Sequence, residues 1–274
     1  MCEYCASHGG KFRWYLNPDN YSDRFLEDKK RMKLLYDLTG WGIDQFLDYT
    51  TKMASLTKIP IIGRGIKYLA NSMATNSHSS QVVALSDAFK ITELADNLCA
   101  LECMCRRNIR GISESICINF GPVKELFEKL KPSEKIEVLT IDEARQKIKD
   151  ADQKGLVHQV LYAKLPYPIV ICNCDLNCCN AAKIRFNFGI KKAMMKGHEV
   201  AEVDFKKCDG CEDQKVPNCL QYCQFGAIKW KLDDKTIQID KNICFGCGIC
   251  NSHCNKSAIK LIPRQETPEI INKW

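Results

Sequence analysis

The chain has no run of about 18 uninterrupted apolar residues, so the sequence predicts no membrane-spanning helix. It also lacks the basic end and apolar stretch of a secretory signal, since it opens with Met-Cys-Glu-Tyr-Cys. We find no phosphate-binding loop, dinucleotide fingerprint or nucleophile–base arrangement in it. These absences disfavour a membrane-spanning protein, a secreted scaffold and a nucleotide-dependent enzyme. They lead us to expect a cytoplasmic protein.

Cysteine, in contrast, is abundant, with 18 among 274 residues. With 45% hydrophobic residues, a chain of this length buries ordinary cores and needs no disulfides to compensate for small size. A cytoplasmic protein keeps its thiols reduced, and the usual reason to retain so many is metal binding. Scattered core cysteines are the alternative, and the spacing of the cysteines argues against it.

Eight cysteines near the end of the chain form two groups that repeat one another. The first group has the pattern C-x2-C-x7-C-x3-C, and the second has C-x2-C-x2-C-x3-C. Asp204 and Asp240 precede the two groups by four residues each, and an Ala-Ile-Lys sequence follows each group. The repeat predicts two similar metal-binding loops. The eight residues are Cys208, Cys211, Cys219, Cys223, Cys244, Cys247, Cys250 and Cys254.

This segment, from about Val203 to Ile262, resembles the bacterial two-cluster ferredoxin domain. In that family three cysteines of one loop hold a 4Fe–4S cluster together with a fourth from the other repeat. The resemblance implies that Cys208, Cys211, Cys219 and Cys254 hold one cluster and that Cys244, Cys247, Cys250 and Cys223 hold the other. The family usually has proline after each fourth cysteine, whereas this chain has Gln224 and Asn255. Zinc is the alternative occupant of C-x2-C pairs.

Seven more cysteines lie upstream in two groups. C-x-C pairs suit bidentate thiolate binding, and Arg106 and Arg107 are expected to favour nearby thiolates. We therefore expect a third centre, an iron–sulfur cluster or zinc, and buried thiols without metal are the alternative. Adjacent Cys178 and Cys179 point in different directions, so one of them is expected to join a given site. The candidates are Cys103, Cys105, Cys117, Cys172, Cys174, Cys178 and Cys179.

The segment between these two groups carries local structural signals. Thr140-Ile-Asp-Glu143 predicts a capping box at the start of a helix that stops near Gly155. A Gly-Leu-Val-His turn follows, and residues 168–172 are predicted to form a strand. From Leu98 to Ile262, this order of segments is similar to that of a group of anaerobic iron–sulfur proteins. That resemblance implies an electron carrier or oxidoreductase subunit rather than a particular reaction.

Three cysteines remain, and two of the five histidines are also considered. Cys2, Cys5 and His8 form C-x2-C-x2-H, which is either a zinc or cluster site or a set of ordinary thiols near a terminus. Cys99 lies in an apolar run and is expected to pack rather than to bind metal. His158 is expected to pack or hydrogen-bond, with a role as a ligand or proton relay as the alternative.

Residues 22–96 have apolar side chains three or four positions apart, which predicts helices. Residues 71–80 are polar and are predicted to form a linker, followed by a helix from Val82 to Ala100 with Asp87, Glu93 and Asp96 exposed. Basic amphipathic segments at residues 29–36 and 59–69 would permit a peripheral membrane contact at most, and an ordinary solvated helix face is the alternative.

The net charge of +7 is unevenly distributed, because residues 201–274 contribute only +1 of it. A basic patch upstream could dock an acidic carrier or an enzyme. Nucleic acid is not expected as a partner, since no DNA-binding motif accompanies the patch. The patch consists of Lys183, Arg185, Lys191, Lys192 and Lys196.

Together these features predict an α+β protein with three regions: a mainly helical region at 1–97, a cysteine-rich domain at 98–200, and a ferredoxin-like two-cluster domain of pseudo-twofold ββ/α form at 201–274. The expected function is electron transfer through two 4Fe–4S clusters, and a third centre, to an oxidoreductase partner, as a subunit of a complex rather than as an enzyme alone. The alternatives are a catalytic subunit with an unusual upstream cluster and a zinc-stabilised scaffold.

Overall fold

A computed structural model describes residues 2–22, 28–40, 43–76, 78–211, 214–231, 236–271 and 273–274. Within these ranges no helix has the length and hydrophobicity needed to cross a bilayer. The α-helices are α1 Glu3–His8, α2 Lys29–Gly40, α3 Ile43–Ser55, α4 Gly63–Asn76, α5 Leu85–Leu94, α6 Met104–Arg110, α7 Val123–Leu130, α8 Ile141–Gln153, α9 Asn180–Phe188, α10 Asn218–Gln221 and α11 Ile249–Ser252.

The strands form one large sheet and two small ones. The large sheet has seven strands in the order β4-β2-β3-β6-β5-β1-β7, and the small sheets pair β8 with β11 and β9 with β10. The mixed α and β composition predicted from the sequence is confirmed. The strands are β1 His78–Val82, β2 Cys99–Leu101, β3 Cys117–Asn119, β4 Glu137–Val138, β5 Val157–Ala163, β6 Pro168–Cys174, β7 Met194–Met195, β8 Glu199–Val203, β9 Ile228–Lys231, β10 Thr236–Ile239 and β11 Ile259–Pro263.

The large sheet buries different side chains on its two faces. Ile171 of β6 packs with Ile91 of α5 and Ile148 of α8 on one face, in an apolar cluster that also holds buried aromatic residues from positions 4–15. Cys172 follows Ile171 and faces the other way, as successive residues of a strand do. It packs with Leu35 of α2 and other residues of the second face. Helices therefore cover both faces, and the cysteines of β6 lie on the second one.

Helix α4 covers residues 71–76 and strand β1 begins at His78, so the linker predicted at residues 71–80 is wrong. Strand β1 is polar but mostly buried, because its side chains find hydrogen-bond partners inside the sheet. Ser80 Oγ donates to Gln159 Oε1 at 2.7 Å, and Gln81 Nε2 donates to the carbonyl of Lys196 at 2.9 Å. Buried polar groups are tolerated when they are paired in this way.

The predicted helix from Val82 to Ala100 is shorter in the structure, since α5 covers Leu85–Leu94 and strands lie on either side of it. Asp87 was expected on the exposed side of this helix, but it is only 2% exposed. The hydroxyl of Tyr15 donates to its carboxylate at 2.9 Å, and Arg13 forms an ion pair with it. The segment before α2 folds over α5 and supplies these partners. The helical prediction for 22–96 also covers 23–27, 41–42 and 77, which lie outside the described residues.

Helix α8 has the capping box predicted from its sequence. The Glu143 backbone N–H donates to Thr140 Oγ1, and the Glu143 carboxylate accepts from the Thr140 N–H at 2.8 Å. The helix ends at Gln153, and Gly155 follows with φ +74°. This conformation favours glycine because it is strained for residues with a Cβ.

The two cysteine groups of the C-terminal unit, residues 199–263, form two matching halves. Each half begins with an aspartate, and its backbone N–H donates to the carbonyl of an alanine near the end of the other half. Asp204 donates to Ala258 at 2.7 Å, and Asp240 donates to Ala227 at 2.8 Å. The same aspartates accept the backbone N–H of Cys208 and Cys244 at 3.0 and 2.9 Å. The sequence repeat is thus also a repeat of backbone hydrogen bonds. The division of the chain into three regions stays a prediction, and β1 of the first region pairs with β5 of the second.

Gln224, which stands where the ferredoxin family usually has proline, joins the C-terminal unit to the large sheet. Its Oε1 accepts the backbone N–H of Leu176 at 2.8 Å, and its Nε2 donates to the carbonyl of Gly155 at 2.5 Å. Tyr222 packs against Gly155 so closely that a Cβ at position 155 would lie 2.5 Å from its ring. The departure from proline therefore has a structural reason, because proline could not make these bonds.

We expect Gly155→Ala to lower the free energy of unfolding more than Gly111→Ala. Both glycines have positive φ, so an alanine costs about 1–2 kcal/mol of backbone strain at each. At Gly111 a Cβ would meet nothing within 4 Å, whereas at Gly155 overpacking against Tyr222 should add about 1–3 kcal/mol. Denaturant unfolding under anaerobic conditions measures the difference. Equal losses for the two variants would contradict the close contact.

The residues that follow the fourth cysteine of each repeat offer a second matched pair. Gln224→Ala leaves the Leu176 N–H without its partner, and we expect it to cost about 1–3 kcal/mol of unfolding free energy. Asn255 is exposed, so Asn255→Ala should change that energy by less than about 0.5 kcal/mol. The same unfolding measurement compares the two, and a loss for Asn255→Ala as large as that for Gln224→Ala would refute the joining role.

Candidate metal centres

The thiols of the C-terminal unit fall into two neighbourhoods, and each combines both repeats. In the first, burial, followed by the charges of Cys211, Cys254 and Cys208, raises the pKa of Cys219 to about 12. Cys254 lies 35 residues beyond Cys219 in the chain. We call these four residues set 1: Cys208, Cys211, Cys219 and Cys254.

The second neighbourhood has the complementary composition. Burial, followed by the charges of Cys247, Cys244 and Cys223 and then by the weaker effect of Cys219 from set 1, holds the pKa of Cys250 well above its usual value. Burial likewise raises the pKa of Cys247 to about 12. Cys223 belongs to the first repeat in sequence but lies with the cysteines of the second. Set 2 is Cys223, Cys244, Cys247 and Cys250.

Backbone N–H groups point at several of these sulfur atoms. The N–H of Ala227 donates to Cys223 Sγ at 3.3 Å, and the N–H of Ala258 donates to Cys254 Sγ at 3.2 Å, so the contact recurs in both repeats. Cys244 Sγ accepts from the N–H of Gly246 at 3.4 Å. Donors of this kind stabilise sulfur that carries negative charge.

Arg264 adds a buried cation beside set 2. Its side chain is fully buried, and its Nη2 donates to the carbonyl of Cys244 at 2.8 Å. Its Nη1 has no hydrogen-bond partner among the described residues. A buried guanidinium next to four thiols suits an anionic occupant, because it offsets charge that burial would otherwise penalise. The donors around sets 1 and 2 therefore fit thiolate-bound metal clusters.

The upstream cysteines meet at a cavity of about 240 Å³ on the second face of the large sheet. Strand β6 brings Cys172 and Cys174 to the same face because they are two residues apart. Its neighbour β3 contributes Cys117, and the start of α6 contributes Cys105. The remaining wall is mostly apolar and includes Leu47 and Phe127. Six of the seven predicted residues line this cavity; they are set 3, Cys103, Cys105, Cys117, Cys172, Cys174 and Cys179.

The thiols of set 3 are close enough to share hydrogen bonds. Bonds from Cys103 and Cys172 lower the pKa of Cys117 well below its usual value. A bond from Cys174 lowers the pKa of Cys179 to about 7. The thiols that donate these bonds shift in the opposite direction, so the pKa values of Cys103 and Cys174 are raised. Within set 3, Cys117 and Cys179 are therefore the thiols that ionise most easily.

Arg106 is a cation beside Cys117, one of the thiols that line this cavity. Its charge lowers the pKa of Cys117, its Nη1 pairs with Glu114, and its Nε and Nη2 have no hydrogen-bond partner among the described residues. Arg107 was expected to act in the same way, but its Nη1 pairs with Glu102 at 2.6 Å and with Glu134 at 3.2 Å. Six thiols and one incompletely paired guanidinium again suit an anionic, metal-containing group.

The other candidate residues have structural surroundings. Cys178 is buried, and its thiol donates to the carbonyl of Asp175 at 3.4 Å, away from the cavity wall. Cys99 packs in an apolar cluster as predicted, and burial raises its pKa to about 11. His158 is fully buried between Asn173, at 2.7 Å, and Asp152, at 3.3 Å, which confirms that it packs and hydrogen-bonds.

Sets 2 and 3 share an apolar wall. Phe245, from the loop of set 2, stacks on Phe225 with ring centroids 4.1 Å apart and planes 4° from parallel. The cluster around Phe245 includes Cys179, with Cys174 and Cys247 packed against it. Set 2, rather than set 1, therefore borders the six-cysteine cavity.

At the start of the chain Cys2 and Cys5 meet His198 rather than His8. The sulfur atoms and a ring nitrogen of these three residues lie within 4.8 Å of one another. His8 is not part of this group, whose ligand atoms come from Cys2, Cys5 and His198. The expectation for His8 is therefore corrected. The sequence carried no signal for His198, which lies just before β8.

The basic patch expected to dock a partner is partly used inside the molecule. Arg185 donates to the carbonyl of Met194 at 2.6 Å and lies 4.7 Å from the ring of Phe245. Lys196 is buried and donates to the carbonyl of Asn242 at 2.5 Å, and Lys192 pairs with Glu3. These three cations therefore hold segments of the chain together instead of forming a free surface.

Comparison with known proteins identifies partial relatives. A 46-residue segment is 37% identical to the uncharacterized ferredoxin-like protein YdhY of Escherichia coli, over 17% of this chain and 22% of that protein. A 59-residue segment is 39% identical to the pyruvate synthase subunit PorD of Methanothermobacter marburgensis, over 22% of this chain and 60% of that protein. No family model and no solved structure matches. The matches thus span less than two thirds of these relatives and show that the chain contains a ferredoxin-like segment.

Proposed function

We propose that the protein is an iron–sulfur electron-transfer subunit in which sets 1 and 2 each hold a 4Fe–4S cluster. The observation that carries this proposal is the exchange of one cysteine between the repeats, with Cys254 beside Cys219 and Cys223 beside Cys250. The exchange matches the ligand crossing of two-cluster ferredoxins. The similarity to a ferredoxin-like protein supports the same assignment.

Bound clusters of this type would supply the one-electron chemistry. The protein's own residues would hold and tune that chemistry. The thiols of Cys219, Cys244 and Cys250 lie away from water, where ionisation is costly unless metal compensates it. The N–H groups of Ala227, Ala258 and Gly246 place partial positive charge at the sulfur atoms. Arg264 does the same from the side of Cys244.

A third centre is proposed at set 3. Its support is the convergence of six thiols on one cavity, with the Arg106 guanidinium close enough to lower the pKa of Cys117. The stack of Phe225 on Phe245 lies between this cavity and set 2. We therefore order the sites as set 1, set 2 and set 3. Set 1 is placed at the accessible end, since three of its cysteines, Cys208, Cys211 and Cys254, are partly exposed, against two of set 2, Cys223 and Cys247.

The partner is proposed to be an oxidoreductase, and the protein a component of its complex. PorD, to which part of the chain is similar, is a subunit of pyruvate synthase. That relationship favours a subunit role over a free carrier. The partly exposed cysteines of set 1 lie at the end of the series where a partner could exchange electrons.

A second candidate function is catalysis at set 3. The observation that favours it is the cavity itself, which has about 240 Å³ of space beside the thiols and a largely apolar wall. A metal group held by set 3 would occupy part of this space, and the largely apolar wall is typical of small-molecule sites, which are concave and mostly apolar. A substrate of small size and low polarity would fit this wall. In that case set 3 would hold a metal group with an open coordination position.

Cys254→Ala should remove or convert the cluster whose other ligands are Cys208, Cys211 and Cys219, because the ligand is missing from set 1. Cys99→Ala changes a buried thiol in an apolar cluster and serves as the control. EPR of the reduced proteins, with iron and sulfide analysis after anaerobic purification, distinguishes the two clusters. If Cys254→Ala instead altered the cluster held by Cys244, Cys247 and Cys250, the crossing would be refuted, and iron-free wild-type protein would refute the function.

Cys117→Ser should lower the iron content from about twelve per chain to about eight if set 3 holds a 4Fe–4S cluster. Cys178→Ser should leave the iron content unchanged, because the Cys178 thiol faces the carbonyl of Asp175 and not the cavity. Eight irons in the wild-type protein would contradict the third cluster. Cyanide added to the reduced wild-type protein separates the two functions: a shift of the EPR signal lost in Cys117→Ser supports catalysis, and an unchanged signal supports a relay.

A further inference from the structure

The N-terminal set, Cys2, Cys5 and His198, lies apart from sets 1, 2 and 3. We infer that these three side chains bind a zinc ion. Cys5 Sγ lies 3.0 Å from His198 Nε2, and all three ligand atoms lie within 4.8 Å of one another. The ligands come from distant parts of the sequence, since Cys5 and His198 are 193 positions apart.

The donor chemistry selects zinc among the common metals. Zinc takes cysteine sulfur and histidine nitrogen in a tetrahedron, and two thiolates with one imidazole are a known three-residue ligand set for it. A 4Fe–4S cluster usually takes four cysteine ligands, while only three donors meet here among the described residues. Water can fill the fourth position of a zinc ion. Hard cations such as magnesium and calcium prefer oxygen and do not suit this set.

The surroundings fix the three ligands in place. The backbone N–H of Trp14 donates to Cys5 Sγ at 3.3 Å, and Gln81 Nε2 lies 3.8 Å from Cys2 Sγ. The ring of His198 lies between those of Tyr15 and Trp274, with centroids 5.4 and 5.3 Å away. Such outer contacts orient metal ligands and stabilise thiolate charge. The site is therefore held together before any ion enters it.

A zinc ion would also balance the negative charge of the two thiolates. Cys2 is fully buried and His198 is 7% exposed, so two uncompensated thiolates would be costly there. The charge of a zinc ion cancels that of two thiolates, and the imidazole binds as a neutral ligand. Arg13, the nearby cation, is already paired with Asp87 and Glu199.

Zinc at this position would fasten the N-terminal segment to the loop that enters β8. His198 follows Gly197, whose backbone N–H donates to the carbonyl of Phe245 at 2.8 Å. The zinc site is thus one residue from a contact with the loop of set 2. Its role is structural, because it closes the chain over the sheet next to that loop.

The test is metal analysis of the full-length, cluster-loaded protein purified anaerobically and exposed to one equivalent of zinc, followed by gel filtration. We expect about one zinc per wild-type chain and less than about a tenth of that in Cys5→Ser and His198→Ala. His8→Ala is the matched control and should keep its zinc. Zinc retained in His198→Ala, or lost in His8→Ala, would overturn the assignment.

Two further measurements guard against misfolded variants and other occupants. His198→Cys supplies a different zinc ligand at the same position and should keep zinc. Cobalt in place of zinc should give the thiolate charge-transfer and tetrahedral d–d bands in the wild type, His198→Cys and His8→Ala, but not in Cys5→Ser or His198→Ala. A Cys2–Cys5 disulfide found by mass spectrometry in the anaerobic protein, or no zinc in the wild type, would refute the inference. Iron content, measured in the same samples, reports separately on the electron-transfer proposal.

Discussion

A thiol surrounded by other thiols and shielded from water resists ionisation, because each added negative charge is poorly solvated and repels the next. This constraint acts on the thiols of the three sets whose pKa is raised, such as Cys219, Cys247 and Cys174. Burial raises the pKa of Cys219 and Cys247 to about 12, so these residues would stay protonated at neutral pH without compensation. The backbone N–H donors and the buried Arg264 and Arg106 are placed where they reduce that cost. The surrounding residues would therefore stabilise thiolates that bind metal ions.

The connection between the C-terminal unit and the large sheet follows from the same need to keep thiol sites adjacent and dry. Gln224 satisfies the Leu176 N–H and the Gly155 carbonyl at this boundary. The stacked rings of Phe225 and Phe245 fill the space between set 2 and the six-cysteine cavity. The hydrogen bonds of Gln224 fix the orientation of the C-terminal unit, and the Phe225–Phe245 pair excludes water. The residue that departs from the ferredoxin pattern is thus the one that adapts the unit to its neighbour.

Several local features could be predicted from the sequence because they depend on residues close together in the chain. The capping box at Thr140 and Glu143, the strand at residues 168–172 and the repeat of Asp204 and Asp240 are of this kind. Strand β1 could not be predicted, since its serines and glutamine look like a linker until Gln159 and Lys196 are placed beside them. Asp87 was misjudged for a similar reason, because Tyr15 and Arg13 approach it from a distant segment.

The sequence by itself determined which cysteines form groups, since ligand spacing within a loop is a local property, and it indicated an α+β chain with metal chemistry. The tertiary structure decided which groups meet. It placed six upstream thiols around one cavity, turned Cys178 away from it, and brought His198 instead of His8 to Cys2 and Cys5. The reason is that contacts between distant segments depend on strand order and on the packing of helices against a sheet. Neither leaves a pattern in the residues on one side of the contact.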